Sequence, residues 1–258
     1  MSDFYDTLGY DARATINSGY YSSFKLMPSL HLSLKKAILK CNKNSIISEV
    51  KFASPAFGVI RENKDLIAIV QAMERGGAVA ISVLTEPCHF NGSINTLVSV
   101  RGAVNLPLLM KDIILSPIQI AAAVNIGADA VLLIKTLYDR GYGEVDLDNM
   151  IEIAHAKGLE VLLEVHTGKE FKAAKKTKAD IIGINNRNLA DLKINLNNTK
   201  KILQTNSFDN LVIVSESGIC TVADLLFLNQ IGVSAFLIGS SIMLTENIEK
   251  KVREFVNA

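Results

Sequence analysis

Residues 158–188 run GLEVLLEVHTGKEFKAAKKTKADIIGINNRN and contain one complete structural unit. The apolar run Val161–Val165 predicts a short strand. A polar turn follows, and then the amphipathic stretch Gly168–Thr177 predicts a helix. A second run, Ile181–Ile184, predicts another strand and ends in the polar Asn185-Asn186-Arg187-Asn188.

From about Ser45 onward the same unit recurs along the chain. The further strand candidates are Ile46–Val50, Val79–Leu84, Leu106–Met110, Ala130–Ile134, Leu211–Val214 and Ala235–Ile238. Helical stretches such as Asp65–Arg75, Pro117–Ile126, Asp148–Lys157 and Thr221–Gln230 lie between them. Many close on glycine, at Gly76-Gly77, Gly127, Gly158 and Gly232, as a helix C-cap requires. Eight strand–helix alternations predict an α/β fold, a single closed (β/α)₈ TIM barrel of parallel strands. The length of 258 residues agrees with the roughly 250 typical of that architecture. An open, doubly wound sheet is the alternative, but no GxGxxG follows the first strand. Residues 1–44 stand outside the repeat. They are expected to form an N-terminal extension, with a helix over Leu32–Cys41, that packs on the barrel (45–258) near one mouth. Together the two parts, 1–258, are read as one domain.

Lysine plus arginine is 27 against 26 acidic residues, so charge gives no reason to expect nucleic acid or a membrane surface as partner. Cys41, Cys88 and Cys220 are widely spaced and odd in number, which argues for a reducing compartment. With no secretory leader pattern and no apolar span, the chain reads as cytoplasmic.

Active sites of such barrels lie at the C-terminal ends of the strands. Strand 1 ends Ser48-Glu49-Val50-Lys51, and a period of two puts Glu49 and Lys51 on one side. Strand 3 runs into Lys111-Asp112, strand 5 carries Glu164, strand 6 ends in Asn185 and Arg187, and strand 7 ends in Glu216. A single charge of this kind is as readily explained by a structural ion pair. Two lysines, three glutamates and an Asn/Arg pair on five strands point instead to catalysis. Glu216-Ser217-Gly218-Ile219 and Ile238-Gly239-Ser240-Ser241 follow strands 7 and 8, where this fold grips phosphate on backbone N–H groups. His166 shares a face with Glu164, but His31, His89 and His155 are scattered without ligand spacing, so no metal is expected. Nor does a Ser-His-Asp constellation appear.

These residues carry a family resemblance. Glu49-Val50-Lys51-Phe52-Ala53-Ser54-Pro55, Ile81-Ser82-Val83-Leu84-Thr85-Glu86, Leu109-Met110-Lys111-Asp112 and Leu163-Glu164-Val165-His166 resemble indole-3-glycerol phosphate synthase. So do Gly183-Ile184-Asn185-Asn186-Arg187-Asn188-Leu189 and Val214-Ser215-Glu216-Ser217-Gly218-Ile219. The resemblance implies a carboxy-lyase of tryptophan biosynthesis acting on 1-(2-carboxyphenylamino)-1-deoxyribulose 5-phosphate, with other enzymes of that pathway as candidate partners. It implies Lys111 as general acid in ring closure, Glu164 as general base in dehydration and Lys51 as a holder of the anionic substrate. Glu49, Asn185 and Glu216 would orient lysines and substrate hydroxyls. Ser54, Arg187, Ser217, Gly218, Gly239 and Ser240 would lie at the substrate or its phosphate.

The chemistry agrees with that assignment. Closing a carbon–carbon bond onto an aromatic ring needs a positioned acid at the carbonyl. Decarboxylation then restores aromaticity, so no cofactor is demanded. A lysine beside a second cation in an apolar mouth is expected to have its pKa lowered. The chain departs from the family at Ala56, where a second serine is common, and at Ile113, where an aromatic residue is frequent. The anthranilate ring is therefore expected against an aliphatic wall. A phosphoribosylanthranilate isomerase is the alternative enzyme, yet no cysteine ends strand 1. A non-catalytic homologue would have been marked by loss of Lys111 or Glu164, and both are present.

Overall fold

The computed structural model describes residues 3–22, 27, 32–54, 58–61, 65–188 and 192–258. Eight parallel strands close into a (β/α)₈ TIM barrel. They are β1 (Ile46–Val50), β2 (Ala80–Leu84), β3 (Leu108–Lys111), β4 (Ala130–Ile134), β5 (Glu160–Val165), β6 (Ile181–Asn185), β7 (Ile213–Glu216) and β8 (Ala235–Ile238). Each pairs with its neighbours in sequence, and β8 returns to β1 with Ile46 opposite Phe236.

Every strand in the repeat is where the apolar runs predict, with shifts at the ends that have local causes. β3 begins at Leu108 rather than Leu106 because Pro107 has no N–H to give a ladder; the Leu108 N–H goes instead to the Asp129 carboxylate at 2.9 Å. At their far ends β3, β6 and β7 run on to Lys111, Asn185 and Glu216, so the polar residue is itself the last rung. Capping explains the helix starts. Thr167 and Glu170 form a reciprocal box at the helix Gly168–Ala174, and Ser116 and Gln119 form one ahead of Pro117. Gly158, at φ +80°, supplies the left-handed turn between the helix Leu147–Ala156 and β5.

Strand parity divides the core. Ile46, Val50, Ile81, Leu108, Met110, Val131, Leu163 and Ile182 pack outward against the helices. Ile47, Leu109, Leu132, Leu162, Ile181, Val214 and Leu237 fill the barrel interior. Continuing the inward parity by two residues reaches Glu49, Lys111, Glu164, Gly183, Glu216 and Gly239. The packing of the barrel thus dictates which side chains arrive at its mouth.

The N-terminal extension spans both ends of the barrel. Helix α1 (Phe4–Asn17) is capped by Asp3, whose side chain accepts from the Tyr5 and Asp6 N–H groups. Its stripe of Tyr5, Leu8 and Ala12 packs with Ile113, Ile134, Leu137 and Tyr142 above the C-terminal mouth. Arg140 ties it down through Asp3 and Asp6, at 2.6 and 2.8 Å. Helix α2 (Leu34–Lys40) matches the helix expected over Leu32–Cys41 and sits at the opposite end. There the Ser33 hydroxyl and the Lys35 N–H bond the carboxylate of Glu160, the first residue of β5. No helix among the described residues is long and apolar enough to cross a membrane.

Candidate active site

Glu49, Lys51, Lys111, Glu164, Asn185, Arg187, Glu216, Ser217, Gly218, Gly239 and Ser240 all line one cleft at the C-terminal mouth. All but one of the site residues read from the sequence therefore converge. The exception is Ser54. It belongs to a two-residue ladder in which Ala53 and Ser54 oppose Val59 and Gly58. The Ser54 side chain lies outside the described residues, as do Pro55, Ala56, Leu189 and His31.

At the centre stands Lys111. Its ammonium is 3.0 Å from Glu216 Oε2 and 3.2 Å from Glu164 Oε2. Lys51 pairs separately with Glu49 at 3.0 Å. Two glycines make room for these carboxylates. A Cβ on Gly183 would come within 2.1 Å of Glu216 Oε1, and one on Gly239 within 2.6 Å of Glu49 Oε1. The glycines of Gly183-Ile184-Asn185 and Ile238-Gly239-Ser240 are thus steric requirements of the neighbouring strands.

Asn185 Oδ1 accepts the Arg187 backbone N–H at 2.9 Å and orders the turn after β6. Asn186 bonds across to β7, donating to Ser215 Oγ at 2.9 Å and to the Glu216 carbonyl at 3.0 Å. After β7, Ser217 and Gly218 both take positive φ, +67° and +85°. A serine there stores roughly 1 kcal/mol of backbone strain. Gly218 is obligatory, since a Cβ would meet Ile194 Cγ2 at 2.4 Å.

The electrostatics correct one expectation. A lysine beside a second cation is expected to have a lowered pKa, and that of Lys111 is not lowered. Burial does push its pKa down, but Glu216, Glu164 and Glu49 outweigh burial and hold it above the ordinary lysine value. Lys51 is itself paired with Glu49 at 3.0 Å. Glu164 behaves oppositely to Glu216, although both touch the same ammonium. Burial raises Glu164, and Lys111, His166 and Asn185 together bring it below the usual carboxylate range. Glu216 is pushed up to about 7, first by burial and then by Glu164, with Lys111 opposing. One cation cannot neutralise two buried carboxylates, and Glu164 has the further polar neighbours.

One flank of the cleft is apolar, formed by Leu8, Leu84, Phe90, Ile113, Leu132 and Ile134. Ile113 contributes the aliphatic surface expected of it, but the flank is not wholly aliphatic, because Phe90 adds an aromatic ring. Leu8 arrives on α1, a helix announced by the Asp3/Asp6 cap and the spacing of Tyr5, Leu8 and Ala12. Phe90 has a subtler origin. The Glu86 carboxylate accepts the N–H groups of Cys88, His89 and Phe90 and winds the segment after β2 into place. Asp112, buried and raised to about 6 by that burial, accepts from the Tyr21 hydroxyl at 2.9 Å and fastens the extension beside Lys111.

Among the described residues, no three or more His, Cys, Asp and Glu side chains form a group that could hold a metal ion.

A family model described as indole-3-glycerol phosphate synthase matches residues 18–255. A relative of that description from Methanocaldococcus jannaschii is 45% identical over 229 residues, covering 87% of this chain and 83% of the relative. Another, from Caldanaerobacter subterraneus subsp. tengcongensis, is 39% identical over 247 residues, covering 96% and 89%. Among solved structures, a thiamine phosphate pyrophosphorylase from Pyrococcus furiosus superposes with a TM-score of 0.61 at 18% identity, covering 86% of this chain and 96% of that one. The N-acetylmannosamine-6-phosphate 2-epimerase of Clostridium perfringens gives 0.60 at 15%, covering 87% and 97%. At such identities the likeness concerns the fold alone.

Proposed function

The chain belongs to the indole-3-glycerol phosphate synthase family of decarboxylating lyases in tryptophan biosynthesis, and from that premise we propose what each group in the cleft does. The substrate is 1-(2-carboxyphenylamino)-1-deoxyribulose 5-phosphate, which is closed to indole-3-glycerol phosphate with loss of carbon dioxide and water. The observation that carries the assignment is the position of the Lys111 ammonium between the Glu164 and Glu216 carboxylates.

Lys111 is the general acid. Its carboxylate neighbours keep it protonated at rest, and a protonated ammonium is what a carbonyl oxygen needs as the ring carbon attacks. The bond from ring to carboxylate then breaks, and its electron pair restores aromaticity as carbon dioxide leaves. Loss of the new hydroxyl as water requires a base to take a C–H proton. Glu164 is that base, and its lowered pKa keeps it ionised and ready. Lys51, paired with Glu49, holds the anionic substrate. Glu49, Asn185 and Glu216 orient the lysines and the substrate hydroxyls.

The phosphate belongs to the segments after β7 and β8, with Ser217, Gly218, Gly239 and Ser240. This is the usual grip of the fold, and both segments line the same cleft as Lys111. Arg187 and Ser54 complete the substrate contacts, and the aryl ring lies on the wall of Ile113, Leu132 and Ile134. A cytoplasmic setting, beside other enzymes of the pathway, fits this chemistry.

The test is indole emission on adding the substrate to purified, metal-chelated protein. The chain contains no tryptophan, so product fluorescence rises over a low background. Growth of that signal is expected; a flat trace with binding measured separately would overturn the assignment.

A further inference from the structure

Glu164 has two carboxylate oxygens, and Lys111 holds only one. Oε2 faces the ammonium at 3.2 Å, while Oε1 faces Nε2 of His166 at 3.4 Å. Oε1 and both ring nitrogens of His166 are buried without a hydrogen-bond partner among the described residues. Unpaired buried polar atoms are rare in native interiors, and two that face each other across one contact ask for a reason.

One aromatic contact and two backbone hydrogen bonds place the His166 residue. Tyr5 of α1 meets its edge with ring centroids 5.5 Å apart at 88°. Its backbone N–H donates to Glu170 at 2.7 Å, and its carbonyl accepts from Asn198 Nδ2 at 3.1 Å. The side chain is only 8% exposed. The nearest partner for the ring is therefore Glu164, and reaching a normal hydrogen bond of about 2.9 Å needs a shift of roughly half an ångström. Apo catalytic hydrogen bonds are commonly long and tighten when substrate binds.

We propose that His166 is a positioning residue for the base: in its neutral form it donates Nε2–H to Glu164 Oε1, fixing the carboxylate with its Lys111-side oxygen toward the substrate. The inference rests on the assignment of Glu164 as base made above. The charged and titratable groups facing the pair are Lys111 of β3 with its other carboxylates Glu216 and Glu49, Glu170 of the helix Gly168–Ala174, and Tyr5 of α1. Burial, with Lys111, disfavours the imidazolium more than Glu164 and Glu170 favour it, which holds the His166 pKa below the ordinary histidine value; a neutral imidazole carries one N–H to donate.

A donor that stabilises the carboxylate lowers its pKa, and its removal raises it. The experiment is the pH dependence of kcat for wild type, His166→Phe, His166→Asn and His166→Gln, with Glu164→Gln as reference. H166F is expected to move the acid-side limb upward by roughly one pH unit, with KM little changed. H166N, too short to place its amide at the Nε2 position, is expected to move it likewise. H166Q, whose amide reaches that position, is expected to return the limb to the wild-type pH. Limbs that stay at the wild-type pH in H166F and H166N, with kcat falling only in step with thermal stability, would overturn the proposal and leave a packing role. E164Q separates the two readings. It is expected to abolish the limb, and a wild-type limb in E164Q would instead overturn the base assignment.

Discussion

The Lys111 ammonium lies 3.0 Å from Glu216 Oε2, and this contact joins residues 105 positions apart in the chain. The same ammonium reaches Glu164 from a third strand. A single buried cation between two buried carboxylates splits their behaviour. Glu164, with more polar neighbours, stays ionised, and Glu216 retains its proton to about 7. The protonation of Lys111, Glu164 and Glu216 is thus set by how three strands share one charge.

The raised pKa of Glu216 has a stability consequence of definite sign. In the unfolded chain the carboxyl ionises near about 4.3, and in the folded chain near about 7. Between these values the native state binds more protons, so the contribution is full below the unfolded pKa and is lost as pH rises toward 7. Denaturant unfolding of Glu216→Gln should show a shallower decline in stability across that window than wild type. Equal slopes would remove Glu216 from the account.

Replacing Lys111 by methionine should reduce turnover by roughly 10²–10⁴, the usual worth of a positioned acid. It also leaves Glu164 and Glu216 buried without their cation, a loss of about 3–5 kcal/mol at neutral pH. Protonation of the two carboxyls relieves that loss, so the variant's stability deficit should shrink as pH falls. Melting curves across pH, read beside the turnover assay, check both effects.

The fold and most of the site were legible because both rest on strand periodicity. A period of two carries Ile47 to Glu49 and Leu162 to Glu164, so the inward rows of a barrel name their own mouth residues. Wall residues such as Leu8 and Phe90 were not legible in this way. They reach the cleft through a helix over the mouth and a segment wound on Glu86, contacts that no local spacing reports. The upward direction of the Lys111 shift is hidden from the sequence for the same reason. Its carboxylate neighbours come from β1, β5 and β7, and only the closed topology brings them together.

The glycines that accommodate the carboxylates offer a separate check. Gly183→Ala drives a methyl into Glu216 Oε1 and Leu162 Cδ2, at 2.1 and 2.6 Å before relaxation. Overpacking of this kind costs about 1–3 kcal/mol, and it displaces Glu216 from Lys111. Lower thermal stability and lower kcat are expected together; a variant with wild-type values of both would contradict the packing described.

The apolar wall should act on binding rather than on chemistry. Ile113→Val removes one methylene from the cleft, worth about 0.8 kcal/mol or roughly a fourfold rise in KM, with kcat nearly unchanged. Steady-state kinetics with the carboxyphenylamino substrate decides it, and a change confined to kcat would place Ile113 elsewhere in the mechanism.

The division of labour between Lys111 and Glu164 is tested most directly by a single-turnover, rapid-quench comparison of wild type with Glu164→Gln, following carbon dioxide and indole product in the same samples. The expected result is carbon dioxide release near the wild-type rate, with a decarboxylated intermediate accumulating and little indole formed. Indole formation at the wild-type rate, or a block before carbon dioxide is released, would contradict the assignment of Glu164 to dehydration.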